Sequence, residues 1–188
     1  MKVLIISGSP RKGGNSETLV NRITAPMMAG GAEVELFRVY DVKYQGCIAC
    51  EKCSDSKDYC VLRDGFSPVY QKMQDADLVI FSSPIYFGRL TGPLKCLIDR
   101  FYAFFLRDFT CKLMEGKKFV AVTVSGAPTP QFANEMEFFR DWFVGMMKMD
   151  MVGALHWGDL SEKQDVERDN AALAEADKLG AELAASLA

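Results

Sequence analysis

The chain has 188 residues and a net charge of −3, and 49% of its residues are hydrophobic. This length suits one domain with a full core, and we predict a single domain over 1–188 with a cysteine-rich inserted loop at 46–61. Because the net charge is mildly negative, we expect no nucleic-acid partner. No apolar stretch reaches the roughly 18 residues that would span a membrane, so no membrane partner is expected either. The N-terminus lacks the pattern of a secretion signal, which favours a cytoplasmic protein with reduced cysteines.

Predicted strands and helices alternate along the chain. The apolar run from Val3 to Ile6 predicts a first strand buried on both faces. Five strands alternating with helices predict an α/β fold with a parallel sheet covered on both sides, whose ligands bind at the carboxyl ends of the strands. The further strands are predicted at 33–39, 77–82, 118–124 and 151–157, and the helices at 16–23, 91–106, 132–149 and 164–187.

A polar loop rich in hydroxyl groups connects the first strand to the first helix. Free backbone N–H groups and the positive end of a helix dipole meet at such a turn, which suits a phosphate. A nucleotide triphosphatase loop would need Lys and Ser/Thr where this chain has Gly14 and Asn15, and Pro10 breaks the dinucleotide fingerprint. Several neutral donors with one guanidinium match a phosphate monoester. The alternative is a polar turn in which Asn15 caps the helix.

A second loop, at 83–88, follows the third predicted strand and carries two adjacent aromatic residues, Tyr86 and Phe87, between a proline and a glycine. We expect a flat ring to lie against this backbone. An ordinary strand-to-helix connection with buried aromatic side chains is the alternative. Together with the phosphate loop, this pattern indicates a monophosphate that carries a planar ring, and hence flavin mononucleotide (FMN).

Four cysteines follow one another at short intervals, separated by two, two and six residues: Cys47, Cys50, Cys53 and Cys60. Zinc ribbons usually space their two cysteine pairs more widely. Three cysteines at consecutive short intervals are instead typical of the run that ligates a [4Fe–4S] cluster. Zinc, a redox-active disulfide and a loop of free thiols are the other interpretations.

Three segments of the chain, at 6–16, 46–60 and 83–100, resemble the NADPH-dependent FMN reductase superfamily. Within it the cysteine spacing is most similar to that of the iron–sulfur flavoproteins. The resemblance implies a flavodoxin-like three-layer sandwich with a five-stranded parallel sheet in the order 2-1-3-4-5. It also implies assembly as a homodimer or homotetramer. One departure is Asp64-Gly65, where many relatives have two acidic residues.

The resemblance also implies which residues hold the cofactors. The phosphate of FMN would be held by Ser9, Arg11, Asn15, Ser16 and Thr18. The isoalloxazine ring would be lined by Pro84, Ile85, Tyr86, Phe87 and Gly88, and closed on its other side by Ser125, Gly126 and Ala127. A [4Fe–4S] cluster would be ligated by Cys47, Cys50, Cys53 and Cys60. No catalytic acid or base is implied, because the flavin itself carries the electrons.

The expected function is an FMN-dependent oxidoreductase or electron-transfer flavoprotein. It would pass electrons between NAD(P)H or a ferredoxin-type carrier, bound FMN, and a [4Fe–4S] cluster or small-molecule acceptor. The alternative is an NAD(P)H:FMN or quinone reductase without a cluster, whose cysteine loop binds zinc or holds free thiols. A zinc-containing docking module and another phosphate-handling enzyme are further classes, but the sequence has no base or acidic metal-binding cluster for the latter.

Several residues are expected to have structural roles. His156 is interpreted as a half-buried structural residue. Because it is the only histidine, a Ser–His hydrolase is disfavoured. Lys95, Asp99 and Arg100 are interpreted as helix-surface charges or subunit contacts. The aromatic run at 101–109 is more than one helix of a small domain is expected to bury, which favours an oligomer.

Overall fold

A computed structural model describes residues 1–56, 58–132 and 134–186 of the chain. Its sheet contains five parallel strands in the order β2-β1-β3-β5-β6, and the two-residue strand β4 pairs antiparallel with the end of β3. With β4 set aside, this is the predicted order 2-1-3-4-5, and the flavodoxin-like prediction is confirmed. The strands are β1 (Lys2–Ser7), β2 (Glu33–Arg38), β3 (Leu78–Tyr86), β4 (Arg89–Leu90), β5 (Lys118–Val124) and β6 (Asp150–Trp157).

Helices cover both faces of the sheet because its central strands carry apolar side chains on both faces. In β1, Val3 and Ile5 pack into one core layer, whereas Leu4 and Ile6 pack into the other. Helices α1 and α5 cover the first layer, and α2, α3 and α4 cover the second. The helices are α1 (Asn15–Ala29), α2 (Ser67–Asp75), α3 (Gly92–Arg100), α4 (Glu135–Phe139) and α5 (Asn170–Ser186), and a π-helical segment, Arg140–Met146, continues α4.

The predicted helices at 91–106, 132–149 and 164–187 are shorter in the structure, the first helix continues to Ala29 instead of ending at residue 23, and one helix was not predicted. Helix α3 ends at Arg100 and gives way to a 3₁₀ turn, whose tighter winding buries both Phe101 and Phe104. Helix α5 begins at Asn170, where the carboxylate of Asp169 accepts hydrogen bonds from two backbone N–H groups of the first turn. The predicted end of this helix at Leu187 lies outside the described residues. Helix α2 buries only three apolar side chains, too few to be recognised in the sequence.

Within the described parts of the chain, no helix combines the length and the apolarity that crossing a bilayer requires.

Helix α5 packs directly against the backbone of α1 at Gly180. A Cβ atom added there would lie 2.6 Å from the backbone oxygen of Ile23 in α1. Since this neighbour is backbone, it cannot rotate away, and only a residue without a side chain allows the contact. The packing of α5 on α1 therefore depends on this glycine.

Gly180→Ala is expected to lower the free energy of unfolding by about 1–3 kcal/mol, because the added methyl group overpacks the helix contact. Urea denaturation measures the change. The matched control is Gly145→Ala, where an added Cβ meets its nearest neighbour, the Arg140 oxygen, at 3.7 Å. At that exposed site the same substitution is expected to be neutral or stabilising. Equal effects of the two substitutions would contradict the packing argument.

Candidate functional site

The loops that follow β1, β3, β5 and β6 surround a cleft of about 270 Å³ at the carboxyl edge of the sheet. This is the edge at which ligands of open parallel sheets bind. The cleft combines hydroxyl groups and a guanidinium at one end with the backbone of the second loop along one side. Its lining residues are Ser9, Arg11, Gly14, Asn15, Ser16, Pro84, Ile85, Tyr86, Val124, Ser125, Gly126, Leu160 and Ser161.

The polar end of the cleft lies at the start of helix α1. The helix is preceded by Gly14, which has no side chain to cap it. The backbone N–H groups of Asn15, Ser16 and Glu17 have no hydrogen-bond acceptor within the described residues. Unpaired N–H groups at the positive end of a helix dipole are a ready anion site. The alternative in which Asn15 caps the helix does not hold, because Asn15 is already its first residue.

Hydroxyl groups also stabilise the turn that leads into this helix. The Ser9 hydroxyl donates a hydrogen bond to the Arg11 carbonyl oxygen at 3.3 Å and accepts one from the Arg11 N–H group at 3.2 Å. Gly13 has a φ of +61°, which a glycine adopts without strain. Thr18 lies one turn into the helix and does not line the cleft. Ser9, Arg11, Asn15 and Ser16 are therefore brought together, whereas Thr18 is not.

The second loop is a tight hairpin between β3 and β4. Phe87 and Gly88 occupy its two central positions with φ values of +54° and +78°, the pair of positive angles that a type I′ turn requires. The Phe87 side chain extends into solvent and is fully exposed. Neither Phe87 nor Gly88 lines the cleft, which instead is bordered by Pro84, Ile85 and Tyr86.

The third loop, after β5, forms the opposite side of the cleft. Ser125 and Gly126 line it, while Ala127 lies just outside. His156 on β6 is half-buried, as expected, and its Nδ1 atom lies 2.8 Å from the Thr123 hydroxyl oxygen. Burial lowers the pKa of His156 below its ordinary value, which favours the neutral imidazole.

The four cysteines line a second hollow, of about 330 Å³, on the side of the molecule where α3 ends. Cys47 and Cys50 are exposed, and Cys53 and Cys60 are partly buried. Ala49 and Glu51 have positive φ values of +50° and +55°, which bend the chain around the hollow between the first cysteines. Within the described residues, no three His, Cys, Asp or Glu side chains are gathered closely enough to hold a single metal ion.

A buried ion pair closes the base of the cysteine loop. The Arg100 side chain is fully buried and lies 2.6 Å from a carboxylate oxygen of Asp64. The same guanidinium donates hydrogen bonds to the carbonyl oxygens of Gln45 and Leu62, both at 3.2 Å, and so joins the chain entering the loop to the chain leaving it. The interpretation of Arg100 as a surface charge is wrong, whereas Lys95 and Asp99 do form an exposed ion pair.

Asp64 is held in place by the backbone as well as by Arg100. Burial alone would raise its pKa, but hydrogen bonds from Arg100 and from the N–H groups of Gln45 and Phe66 outweigh burial and leave the pKa below its ordinary value. The next residue, Gly65, approaches Val42 so closely that a Cβ atom would lie 2.4 Å from the Val42 Cβ. This contact explains why an acidic residue cannot follow Asp64 in this chain.

A second cation holds the loop from beneath. The ammonium of Lys112 donates hydrogen bonds to the carbonyl oxygens of Cys53 at 3.0 Å, Ser56 at 3.1 Å and Asp58 at 3.4 Å. Burial lowers the pKa of Lys112, and burial raises the pKa of the Cys53 thiol. Lys112 therefore holds the backbone on the partly buried side of the hollow, while Arg100, paired with Asp64, lines the hollow together with Glu51 and Asp99.

Next to this hollow is an open apolar groove of about 520 Å³, which shares Asp99 and Tyr102 with it. Phe109, Trp142 and Met146 expose large apolar surfaces along this groove. The described part of the chain thus leaves apolar side chains uncovered. Within the aromatic run, however, the domain itself buries Phe101, Phe104 and Phe105, so the expectation that one small domain would not bury this run is wrong for most of it. The number of subunits stays a prediction.

Comparison with known proteins agrees with this architecture. The profile of the NADPH-dependent FMN reductase family matches residues 1–159. An iron–sulfur flavoprotein of Methanocaldococcus jannaschii is 32% identical over 181 residues, 92% of this chain and 90% of that protein. One from Methanosarcina thermophila is 32% identical over 142 residues, 76% of this chain and 72% of that protein. The solved structure of an NAD(P)H:quinone oxidoreductase from Methanothermobacter marburgensis superimposes with a TM-score of 0.73 at 18% identity, covering 96% of this chain and 97% of that one.

A parallel sheet in this order, with a polar cleft at its carboxyl edge, is the arrangement of flavodoxin-like flavoproteins. The chain belongs to the NADPH-dependent FMN reductase family and is an FMN-dependent oxidoreductase.

Sequence reasoning did not find every residue of the two sites. In the cleft it missed Leu160 and Ser161, which follow the last strand at the same edge as the three recognised loops. The rule that ligands bind at the carboxyl ends of strands applies to this strand too and would have found them. Around the cysteines it missed Arg100 and Lys112, whose roles depend on contacts across 36 and more residues of sequence and leave no local pattern.

Asp64→Asn is expected to lower the free energy of unfolding by roughly 3–5 kcal/mol at pH 7, because it leaves the buried Arg100 charge uncompensated. The wild-type advantage is present above the ordinary pKa of an aspartate and is lost as pH falls through the lowered pKa of Asp64. Urea denaturation from pH 7 to pH 3 measures both effects.

The matched control for this prediction is Asp55→Asn. Asp55 lies in the cysteine loop, and the substitution breaks its exposed ion pair with Arg107. That substitution is expected to leave stability unchanged within error, since exposed pairs contribute little. If the two substitutions had the same effect, the ion pair at the base of the loop would not be the stabilising contact described.

Proposed function

We propose that this protein transfers electrons between bound FMN and a [4Fe–4S] cluster held by Cys47, Cys50, Cys53 and Cys60. The observation that carries the proposal is that all four thiols line one hollow, within a chain of the FMN reductase family. NAD(P)H or a ferredoxin-type carrier would supply the electrons, and a small molecule would be their final acceptor.

The cleft at the sheet edge fits FMN by the kind of groups it presents. Unpaired N–H groups at the start of α1, the Ser16 hydroxyl and the Arg11 guanidinium suit a phosphate with close to two negative charges. The backbone of Pro84, Ile85 and Tyr86 provides a side against which a flat ring packs. Ser125 and Gly126 would face the ring from the other side.

The cysteine hollow fits a cluster better than a single ion. Four thiols surround a space of about 330 Å³, but no three of the ligand-type side chains in the described residues meet around one point. A cluster has several iron atoms to distribute among separated cysteines. The relatives with matching sequence are named iron–sulfur flavoproteins, which agrees with this assignment.

The flavin held in the cleft would supply redox chemistry that links a two-electron donor such as a nicotinamide to one-electron carriers. The residues of this chain would bind, orient and shield the cofactor, and no side chain needs to act as a catalytic acid or base. Arg11 would neutralise phosphate charge, while Arg100 and Lys112 would hold the cysteine loop in place by its carbonyl groups.

A second candidate is an NAD(P)H:FMN or quinone reductase without a cluster. The exposure of Cys47 and Cys50 favours it, because solvent-accessible thiols are open to oxidation. In this case the loop would bind zinc or keep free thiols, and electrons would pass directly from flavin to a small acceptor. In either case we propose a homodimer or homotetramer, in which the apolar groove beside the cysteine hollow is covered.

Visible absorption of protein purified without oxygen, with iron and acid-labile sulfide assayed on the same sample, tests the proposal. Flavin bands with about four iron atoms per chain are the expected result. Flavin bands without iron would favour the second candidate, and no flavin after addition of FMN would contradict both.

Cys60→Ser is expected to abolish most of the iron content while leaving the flavin bands unchanged, because the two sites use different loops. The matched control is Cys111→Ser, whose thiol does not line the hollow. The control variant is expected to keep its iron. Loss of iron in both variants, or in neither, would contradict the ligand assignment.

A further inference from the structure

We propose that the segment 159–166, which follows β6, forms the fourth wall of the cleft and that the Ser161 hydroxyl binds the phosphate of FMN. In this assignment the Asn15 side chain positions the segment instead of contacting the phosphate. The inference rests on the proposed FMN site and adds to it a residue that lies beyond the 1–159 region matched by the family.

Backbone hydrogen bonds attach the beginning of this segment to the third loop of the cleft. The N–H group of Asp159 donates to the Ala127 carbonyl oxygen at 2.9 Å, and that of Leu160 donates to the Ser125 carbonyl oxygen at the same distance. The segment therefore continues the wall formed by Ser125 and Gly126 toward the start of α1.

Asn15 holds the rest of the segment from the opposite side. Its side-chain amide donates to the Glu162 carbonyl oxygen at 2.8 Å, and its side-chain oxygen accepts from the Val166 N–H group at 3.2 Å. Both ends of the side chain thus make hydrogen bonds, and only 7% of the surface of Asn15 is exposed. Only its backbone N–H group, at the start of the helix, remains available to an anion.

Ser161 is fixed in place by its backbone while its side chain stays free. The Arg11 guanidinium donates a hydrogen bond to the Ser161 carbonyl oxygen at 3.2 Å. The Ser161 hydroxyl makes no hydrogen bond within the described residues, and it lies 3.0 Å from the position that a Cβ of Gly126 would occupy. A hydroxyl without a partner among the described residues therefore lies at the cleft lining, in the residue whose carbonyl oxygen Arg11 binds.

The chemistry of this position suits a phosphate monoester. A phosphate has several strong acceptor oxygens, and the Ser161 hydroxyl, which has no partner among the described residues, is available to donate to one of them. The same Arg11 that fixes Ser161 supplies a positive charge at this end. Ser161 thereby adds specificity for the phosphorylated flavin over riboflavin, which lacks the group.

Equilibrium binding of FMN and of riboflavin, followed by flavin fluorescence, tests the role of Ser161. Ser161→Ala is expected to weaken FMN binding about tenfold, the usual loss for a hydrogen bond to a charged group, and to leave riboflavin binding unchanged. Ser161→Thr, which keeps the hydroxyl, is expected to restore most of the affinity. Ser186→Ala, a serine near the end of α5, is the matched control and is expected to change neither affinity.

The positioning role of Asn15 is tested separately on flavin-free protein by amide hydrogen exchange. Asn15→Ala is expected to speed exchange at Leu160 and Val166, because their segment loses its hydrogen bonds to the side chain. Weaker FMN binding without faster exchange would show that Asn15 contacts the phosphate directly and would overturn this part.

The possible failures are distinguishable. If the wild-type protein binds FMN and Ser161→Ala binds it equally well, the inference is overturned while the proposed function stands. If the wild-type protein binds no FMN, the proposed function fails and the inference fails with it. Equal losses for FMN and riboflavin would also overturn the inference, since they would indicate a general loosening of the cleft.

Discussion

The parallel pairing of β1 with its neighbours is the constraint on which the rest of the structure depends. Because β1 lies between β2 and β3, and β5 and β6 follow in the same direction, the loops after four strands meet at one edge. Arg11 and Ser161, which are 150 positions apart in sequence, thereby come within hydrogen-bonding distance. Successive apolar side chains of these strands point to opposite faces of the sheet, which determines the core layer that each one enters. Because the strands form the core, the loops are free to carry polar groups.

The cysteine loop is organised by a different principle. It contributes few apolar side chains to the core, and its shape depends on cations that bind its carbonyl groups. Buried cations are costly unless they are paired, and here Asp64 compensates Arg100. The loop thus uses electrostatic contacts where the sheet uses apolar burial.

Much of the fold followed from the sequence because the strands are short, apolar and separated by clear turn signals. The strand order was not visible in the pattern itself and came from the resemblance to a family. Within the site, residues next to the strand ends were found because topology determines their position. The hydrogen bonds of the Asn15 and Arg100 side chains were not predicted, since the partners of a side chain depend on distant segments. Helix α2 escaped notice because its apolar stripe is narrow.

The ion pair between Arg100 and Asp64 affects how the cysteine loop and the sheet respond to changes in the loop. By joining the chain on either side of the cysteine loop, it separates the ordering of the loop from the folding of the sheet. In small metal-dependent domains, loss of the metal unfolds the whole chain. Here the sheet has its own core, so a change in the length of the loop, or the loss of any metal bound there, would cost the domain little. The flavin fold and the cysteine loop are in this sense separable modules that share one chain.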